Sequence, residues 1–218
     1  MKLTLLASLA LIVLSGTTAQ SQIFAAATDI APLRLTVRDD SKLWLEGSSN
    51  VRDWRCDATT LDASVELDDR ARVSEPAAVA HLRHVQVRVP ARALTCGRGQ
   101  MDRIMYKALH VDDEPDCQQI VGRFDVVGRN TGEHELVMQG TLRVAGRERA
   151  VRLPIDVERA HDGTLHARGA LPILMTDYGI TPPSAFFGVL RTENRIVVKF
   201  DLVIDEPATL ASSAAGGR

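Results

Sequence analysis

Much of this 218-residue chain is written in strict alternation. His84-Val85-Gln86-Val87-Arg88-Val89 changes from polar to apolar at every step, and residues 136–144 and 151–157 repeat the pattern. Successive side chains of an extended strand point to opposite faces, so this period puts one face in a core and the other in water. Further runs of the same kind occupy residues 33–37, 42–46, 54–67, 120–127, 165–174 and 196–204. Short turns separate them, notably Ala145-Gly146-Arg147-Glu148 and His161-Asp162-Gly163. Eight to ten strands joined by hairpins predict an antiparallel sheet, and a sheet of that size removes its edges by closing into a barrel. One segment departs from the pattern. Residues 99–110 place Met101, Ile104, Met105 and Leu109 at helical spacing, which predicts a single amphipathic helix between strands. The expected fold class is all-β, an extended antiparallel β-barrel of eight to ten strands with one amphipathic helix.

The two ends read differently from this body. Met1-Lys2 precedes an apolar run over residues 3–14 and the small residues Ser15-Gly16-Thr17-Thr18-Ala19. That run is shorter than the ~20 residues needed to span a bilayer, and the arrangement is that of a cleaved secretory signal over residues 1–19, with a cut after Ala27 as the alternative. With no cysteine before Cys56, lipid attachment at the cleavage site is not expected. The folded body is expected at residues 30–205, followed by a small, polar, flexible tail at 206–218. No other stretch is long and apolar enough to span a membrane, so the mature chain is expected free in the compartment to which it is exported. An oxidising compartment lets disulfides persist, and three cysteines leave one thiol over. Sequence alone does not fix the pairing. Cys56–Cys96 is the favoured bridge because both cysteines continue strand-like runs, with Cys117 of the acidic turn at residues 112–117 as the spare; three buried free thiols are the alternative.

Chemistry is harder to find. The 26 basic and 28 acidic residues nearly cancel, and nine aromatic rings make up 4% of the chain. Nucleic-acid binders carry a basic stripe for phosphates or a platform of rings for bases, so neither form of that role fits. Gly97-Arg98-Gly99 is a turn without the third glycine of a phosphate loop. His81 and His84 fall on opposite faces of a strand, and His161 and His166 flank a hairpin turn where exposed histidines are ordinary. The acidic run at residues 112–116 lacks the alternating ligands and central glycine of a calcium loop. No nucleophile elbow, zinc-protease helix or nucleotide loop is present, so the residues give no specific sign of an enzyme, and neither a metal nor a cofactor is expected.

A barrel of about eight strands is wide enough for its inward side chains to fill it or for one small ligand to occupy it. Leu, Val, Ile and Met dominate the apolar positions here, a lining suited to a flexible hydrocarbon chain. Gly140, on an inner-face pattern, marks a position where a phenylalanine would cut capacity if it faces a cavity. Two other readings stay open: a filled barrel acting as a stress-response or interaction module, and a lipid hydrolase or isomerase using one of the scattered histidines.

Several segments together resemble one family. Residues 43–54, with Gly47-Ser48-Ser49-Asn50-Val51-Arg52-Asp53-Trp54, are similar to the opening motif of YceI-like proteins, with Arg52 where a histidine is usual. Met101-Asp102-Arg103-Ile104-Met105-Tyr106-Lys107-Ala108-Leu109 resembles their M-x-x-x-M-x-x-x-L helix, and Glu114-Pro115 the turn after it. Residues 140–146 match their G-x-L-x-[IV]-x-G hairpin, Asp177-Tyr178-Gly179-Ile180 their D-[FY]-G-I segment, and residues 197–202 their closing strand. The set runs in the family's order over residues 41–204. It implies a lipocalin-like barrel in the bacterial periplasm that holds a polyisoprenoid or another long-chain amphiphile such as a quinone, a polyprenyl phosphate or a fatty-acid derivative. Trp54, Tyr106, Tyr178, Phe186 and Phe187 lie in the matching motifs and would line the mouth, or else serve as ordinary core. Met101 and Met105 would face the chain, adaptable thioethers suiting varied hydrocarbon, or pack the helix on the barrel. Arg52 would pair with an anionic head group, or form a salt bridge to Asp53 or a cross-strand acid. A homodimer is left open.

Overall fold

The alternating runs do become strands. A computed structural model describes residues 34–68, 81–129, 135–185 and 188–205. In chain order these form β1 (Arg34–Val37), β2 (Lys42–Ser49), β3 (Asp53–Ala58), β4 (Asp62–Leu67), β5 (Leu82–Pro90), β6 (Leu94–Thr95), the helix α1 (Gly99–Ala108), β7 (Gln119–Arg129), β8 (Glu135–Val144), β9 (Arg147–Arg159), β10 (Leu165–Leu174), β11 (Ser184–Ala185) and β12 (Leu190–Asp205). The leader at 1–19, the tail at 206–218, and Phe186 and Phe187 lie outside the described residues.

All pairings are antiparallel, and they close. The order β1-β4-β5-β7-β8-β9-β10-β12 returns to its start because β12 also pairs with β1, through Thr36↔Asp205 and Val37↔Ile204. The result is a closed eight-stranded barrel with a single helix. On the same side of β12, β2 continues where β1 stops, and β3 continues β4 against it. Two staves of the barrel are thus bent, each built from two segments. At the first bend Ser41 replaces the ladder: the Val203 amide donates to its Oγ at 2.9 Å, while the Arg38 amide reaches the Val203 carbonyl at 2.8 Å. The second bend interrupts the run read as one strand over 54–67, at residues 59–61.

The turns follow their sequence signals. Between β8 and β9, Ala145 and Gly146 both take positive φ, +47° and +70°, the pair of left-handed residues that a two-residue hairpin matched to strand twist requires. At the β9–β10 turn, Asp162 Oδ1 accepts from the Thr164 amide and hydroxyl at 3.0 and 2.7 Å. These two bonds hold the Asp162 carboxyl below its ordinary pKa.

The inward rows are apolar except at the strand ends that carry Ser49, Ser184 and Thr192. Leu35, Leu67, Leu136, Val157 and Leu165 are all buried at the end where β1 begins and β4 finishes, and they plug that end. Each such side chain contributes about 1.5–3 kcal/mol when fully removed from water. At the opposite end sits α1. No helix among the described residues is long and apolar enough to cross a membrane.

Candidate functional site: an apolar cavity with a polar mouth

Between the plugged end and α1 the barrel is hollow. The cavity has a volume of about 460 Å³, within the range of small-molecule sites. Its wall is built from inward positions of the staves, and on β12 it runs from Leu190 to Ile204. At ~3.3 Å per residue that is up to about 46 Å of strand, shorter along the axis because barrel strands tilt. Inward residues of the upper wall, among them Leu43, Leu45, Val87, Ile120 and Val198, pack against the buried core and are themselves only half-buried. They border the cavity in place of a packing partner.

The mouth is assembled by three connections. The β2–β3 hairpin is locked by Ser49, whose Oγ accepts from the Val51 and Arg52 amides and donates to the Arg52 carbonyl at 2.8 Å. Asn50 ties this hairpin to the start of β12, donating to the Val189 carbonyl at 2.8 Å and accepting from the Arg191 amide at 2.9 Å. The third element is α1. It is fastened at its base: Asp102 accepts from the Cys96 amide at 2.6 Å and the Thr95 hydroxyl at 2.9 Å, and the Tyr106 hydroxyl donates to the Leu94 carbonyl at 2.7 Å. A disulfide joins Cys56 of β3 to Cys96, two residues before Arg98 at the helix start. Cys117 is free and buried; burial, then Glu114, Asp116 and Asp113, push its thiol pKa up.

Helical spacing turns Met101, Ile104, Met105 and Ala108 to the cavity, and none of the residues of α1 is fully buried. Arg52, Trp54 and Tyr178 line the cavity as well. Tyr106 does not: its hydroxyl is drawn to the carbonyls beside β6, and the Arg92 guanidinium lies 5.4 Å from its ring centre. Tyr178 is buried, and its hydroxyl has no hydrogen-bond partner among the described residues. Burial first, then Asp177, raise its pKa, with Arg149 opposing. Arg52 forms no salt bridge with Asp53 or a cross-strand acid among the described residues.

Gly140 requires a correction. A Cβ there would run into the Arg123 carbonyl and lie 2.7 Å from the Phe124 Cα, so the position is closed by the β7 backbone and does not line the cavity. Enlarging it would break the β7–β8 pairing and would say nothing about capacity. The described histidines lie outside the cavity lining: His84, His110 and His166 stand at 2.9, 2.9 and 3.0 Å from Asp125, Asp113 and Asp201. No cluster of three metal-ligating side chains occurs among the described residues.

Sequence reasoning missed most of the polar rim. Ser49, Arg98, Gln100, Ser184 and Thr192 all line the cavity, and with Arg52 they gather at the mouth while the depths are apolar. The only signal for Arg98 was its place between two glycines ahead of a helix, which reads as a turn.

Solved structures with this architecture exist. Burkholderia cenocepacia BcnA superposes with a TM-score of 0.61 at 16% identity, over 77% of this chain and 99% of that one. A polyisoprenoid binding domain from Saccharophagus degradans, implicated in plant cell wall breakdown, gives 0.56 at 14% identity, over 80% and 98%. At these identities the likeness concerns the fold. No curated protein matches the chain significantly in sequence. The YceI-like domain model matches residues 38–204, which takes in the barrel from the first bend to the end of β12, and the chain belongs to the YceI-like family.

Proposed function

We propose that the protein holds one long-chain amphiphile, a polyisoprenoid or an acyl chain, inside the barrel, and carries, stores or sequesters it in the periplasm after its leader is cleaved. The observation that carries this reading is the polarity of the cavity: a long apolar wall, closed at one end, with Ser49, Arg52, Arg98, Gln100, Ser184 and Thr192 gathered at the other. A hydrocarbon tail gains ~0.8 kcal/mol per methylene taken from water, and a head group left at the rim keeps its solvation. The Saccharophagus degradans domain, described as polyisoprenoid binding, has the same fold and supports the reading. The hollow interior speaks against a filled barrel, and the absence of histidine from the described lining against turnover by one.

The test is native mass spectrometry of protein purified from its own cell envelope, with organic extraction of what it carries. A prenyl or acyl species in near-equimolar amount is the expected result. Protein that is empty and also refuses added polyprenols, quinones and fatty acids would overturn the role.

A further inference from the structure

Charge on the cavity wall is of one sign. Among the described lining residues the charged side chains are Arg52 and Arg98, and no Asp, Glu, Lys or His accompanies them. Neither guanidinium has an acidic partner among the described residues. The acids nearest in sequence and structure are engaged or turned elsewhere. Asp102 is held by the Cys96 amide and the Thr95 hydroxyl, Glu193 accepts from Ser48 Oγ at 2.8 Å, and Asp53 and Glu193 line a separate, more open groove with Arg55 and Arg195.

The two segments that carry these cations are tied to each other. Arg52 closes the hairpin locked by Ser49, and Arg98 caps the start of α1. The Cys56–Cys96 disulfide joins the two segments that carry them. A neutral head group would leave two like charges at the mouth without a partner. An anionic one offers each of these exposed guanidinium forks paired acceptors at the rim of an apolar wall.

We infer that the head group seated at this mouth is anionic, a carboxylate or a phosphate monoester, held by Arg52 and Arg98. The inference rests on the chain-holding role proposed above. Ser49, Gln100, Ser184 and Thr192 supply further polar groups around the same opening.

Equilibrium dialysis of delipidated protein against labelled pairs tests it: palmitate with hexadecanol, and farnesyl monophosphate with farnesol. The anion of at least one pair should bind ~10-fold or more tightly than its alcohol, with the advantage shrinking as salt rises. In the R52Q/R98Q double variant that advantage should vanish while the alcohol affinity stays, which also shows that the variant is folded. A preference in one pair only names the head group; a preference in both supports the shared chemistry. Equal binding of anion and alcohol, or a preference that survives in R52Q/R98Q, overturns the inference and leaves the chain-holding role intact. Failure of all four probes to bind removes both.

Discussion

The ring of Phe200 lies in the space that a side chain at Gly169 would fill. The two residues face each other across the β10–β12 pairing, and a Cβ at 169 would stand 2.8 Å from Phe200 Cε1. The same arrangement recurs around the barrel. Trp54 covers its cross-strand partner Gly47, and Phe124 folds over Gly122 two residues earlier on its own strand. All three rings line the cavity, and all three lie along the wall because a glycine lets them. The interior stays open although bulky side chains point into it.

That relationship predicts a coupled pair. Gly169→Ala should destabilise the fold by about 1–3 kcal/mol, because the ring must swing off the wall into the lumen. In a Phe200→Ala background the same substitution should cost almost nothing, a coupling that urea denaturation of the four-member cycle measures. An equal cost in both backgrounds would mean that the ring is not what requires glycine.

Capacity can be tested deeper in the barrel. Ala167 is buried on β10, lines the cavity and is paired with Val157 and Leu202. Ala167→Phe should put a ring in the lumen at a cost of about 1–3 kcal/mol and shorten the longest polyprenol retained, read by mass spectrometry of extracted lipid. Unchanged chain-length selectivity in the folded variant would take residue 167 out of the ligand's path.

Alternation made the staves legible, and the position of α1 followed from four apolar residues at helical spacing. The hollow was not legible, because an inward apolar row reads the same whether its neighbours are side chains or a cavity. The bend at residues 59–61 did leave a mark: the apolar phase slips from even positions (Trp54, Cys56, Ala58) to odd ones (Leu61, Ala63, Val65, Leu67) across Thr59-Thr60, where the partner changes from β2 to β1. Tyr106 shows the limit of motif reasoning, since it sits one residue after Met105, about 100° around the helix, where two backbone carbonyls claim its hydroxyl. Arg98 shows the converse. Its role depends on the Cys56–Cys96 bridge and on which barrel end α1 covers, neither of which is a local property of the sequence.

Outside the cavity, β10 and β12 share a charged cluster that sets an acid limit. Burial alone would raise the Asp201 carboxyl, but bonds from His166 at 3.0 Å and Arg168 at 3.1 Å outweigh it and bring its pKa below the ordinary value. A depressed carboxylate stabilises the fold above the unfolded-state value of ~3.9, and that stabilisation is lost as pH falls through the folded value. The urea midpoint should therefore drop between pH 7 and pH 3, and Asp201→Asn should drop less over the same interval. Equal losses in both proteins would place the acid sensitivity elsewhere.

The disulfide should matter more to the mouth than its place at the rim suggests. Its loop spans 40 residues, so Cys96→Ser should cost roughly 2–4 kcal/mol through the entropy regained by the unfolded chain. The barrel's closing pairings do not involve Cys96, so the fold should persist. What the change releases is the base of α1, whose remaining ties are Asp102 and Tyr106 to the segment before it. Hydrogen exchange should rise first in residues 96–108, and bound lipid should leave faster than from the wild type, while amides of β8, β9 and β10 keep their protection. Cys117, buried and with its thiol pKa raised, should stay unreactive toward an alkylating reagent in the folded wild type and react once on denaturation. Uniform loss of protection across β8–β10 would mean that the bridge holds the whole barrel and not its mouth.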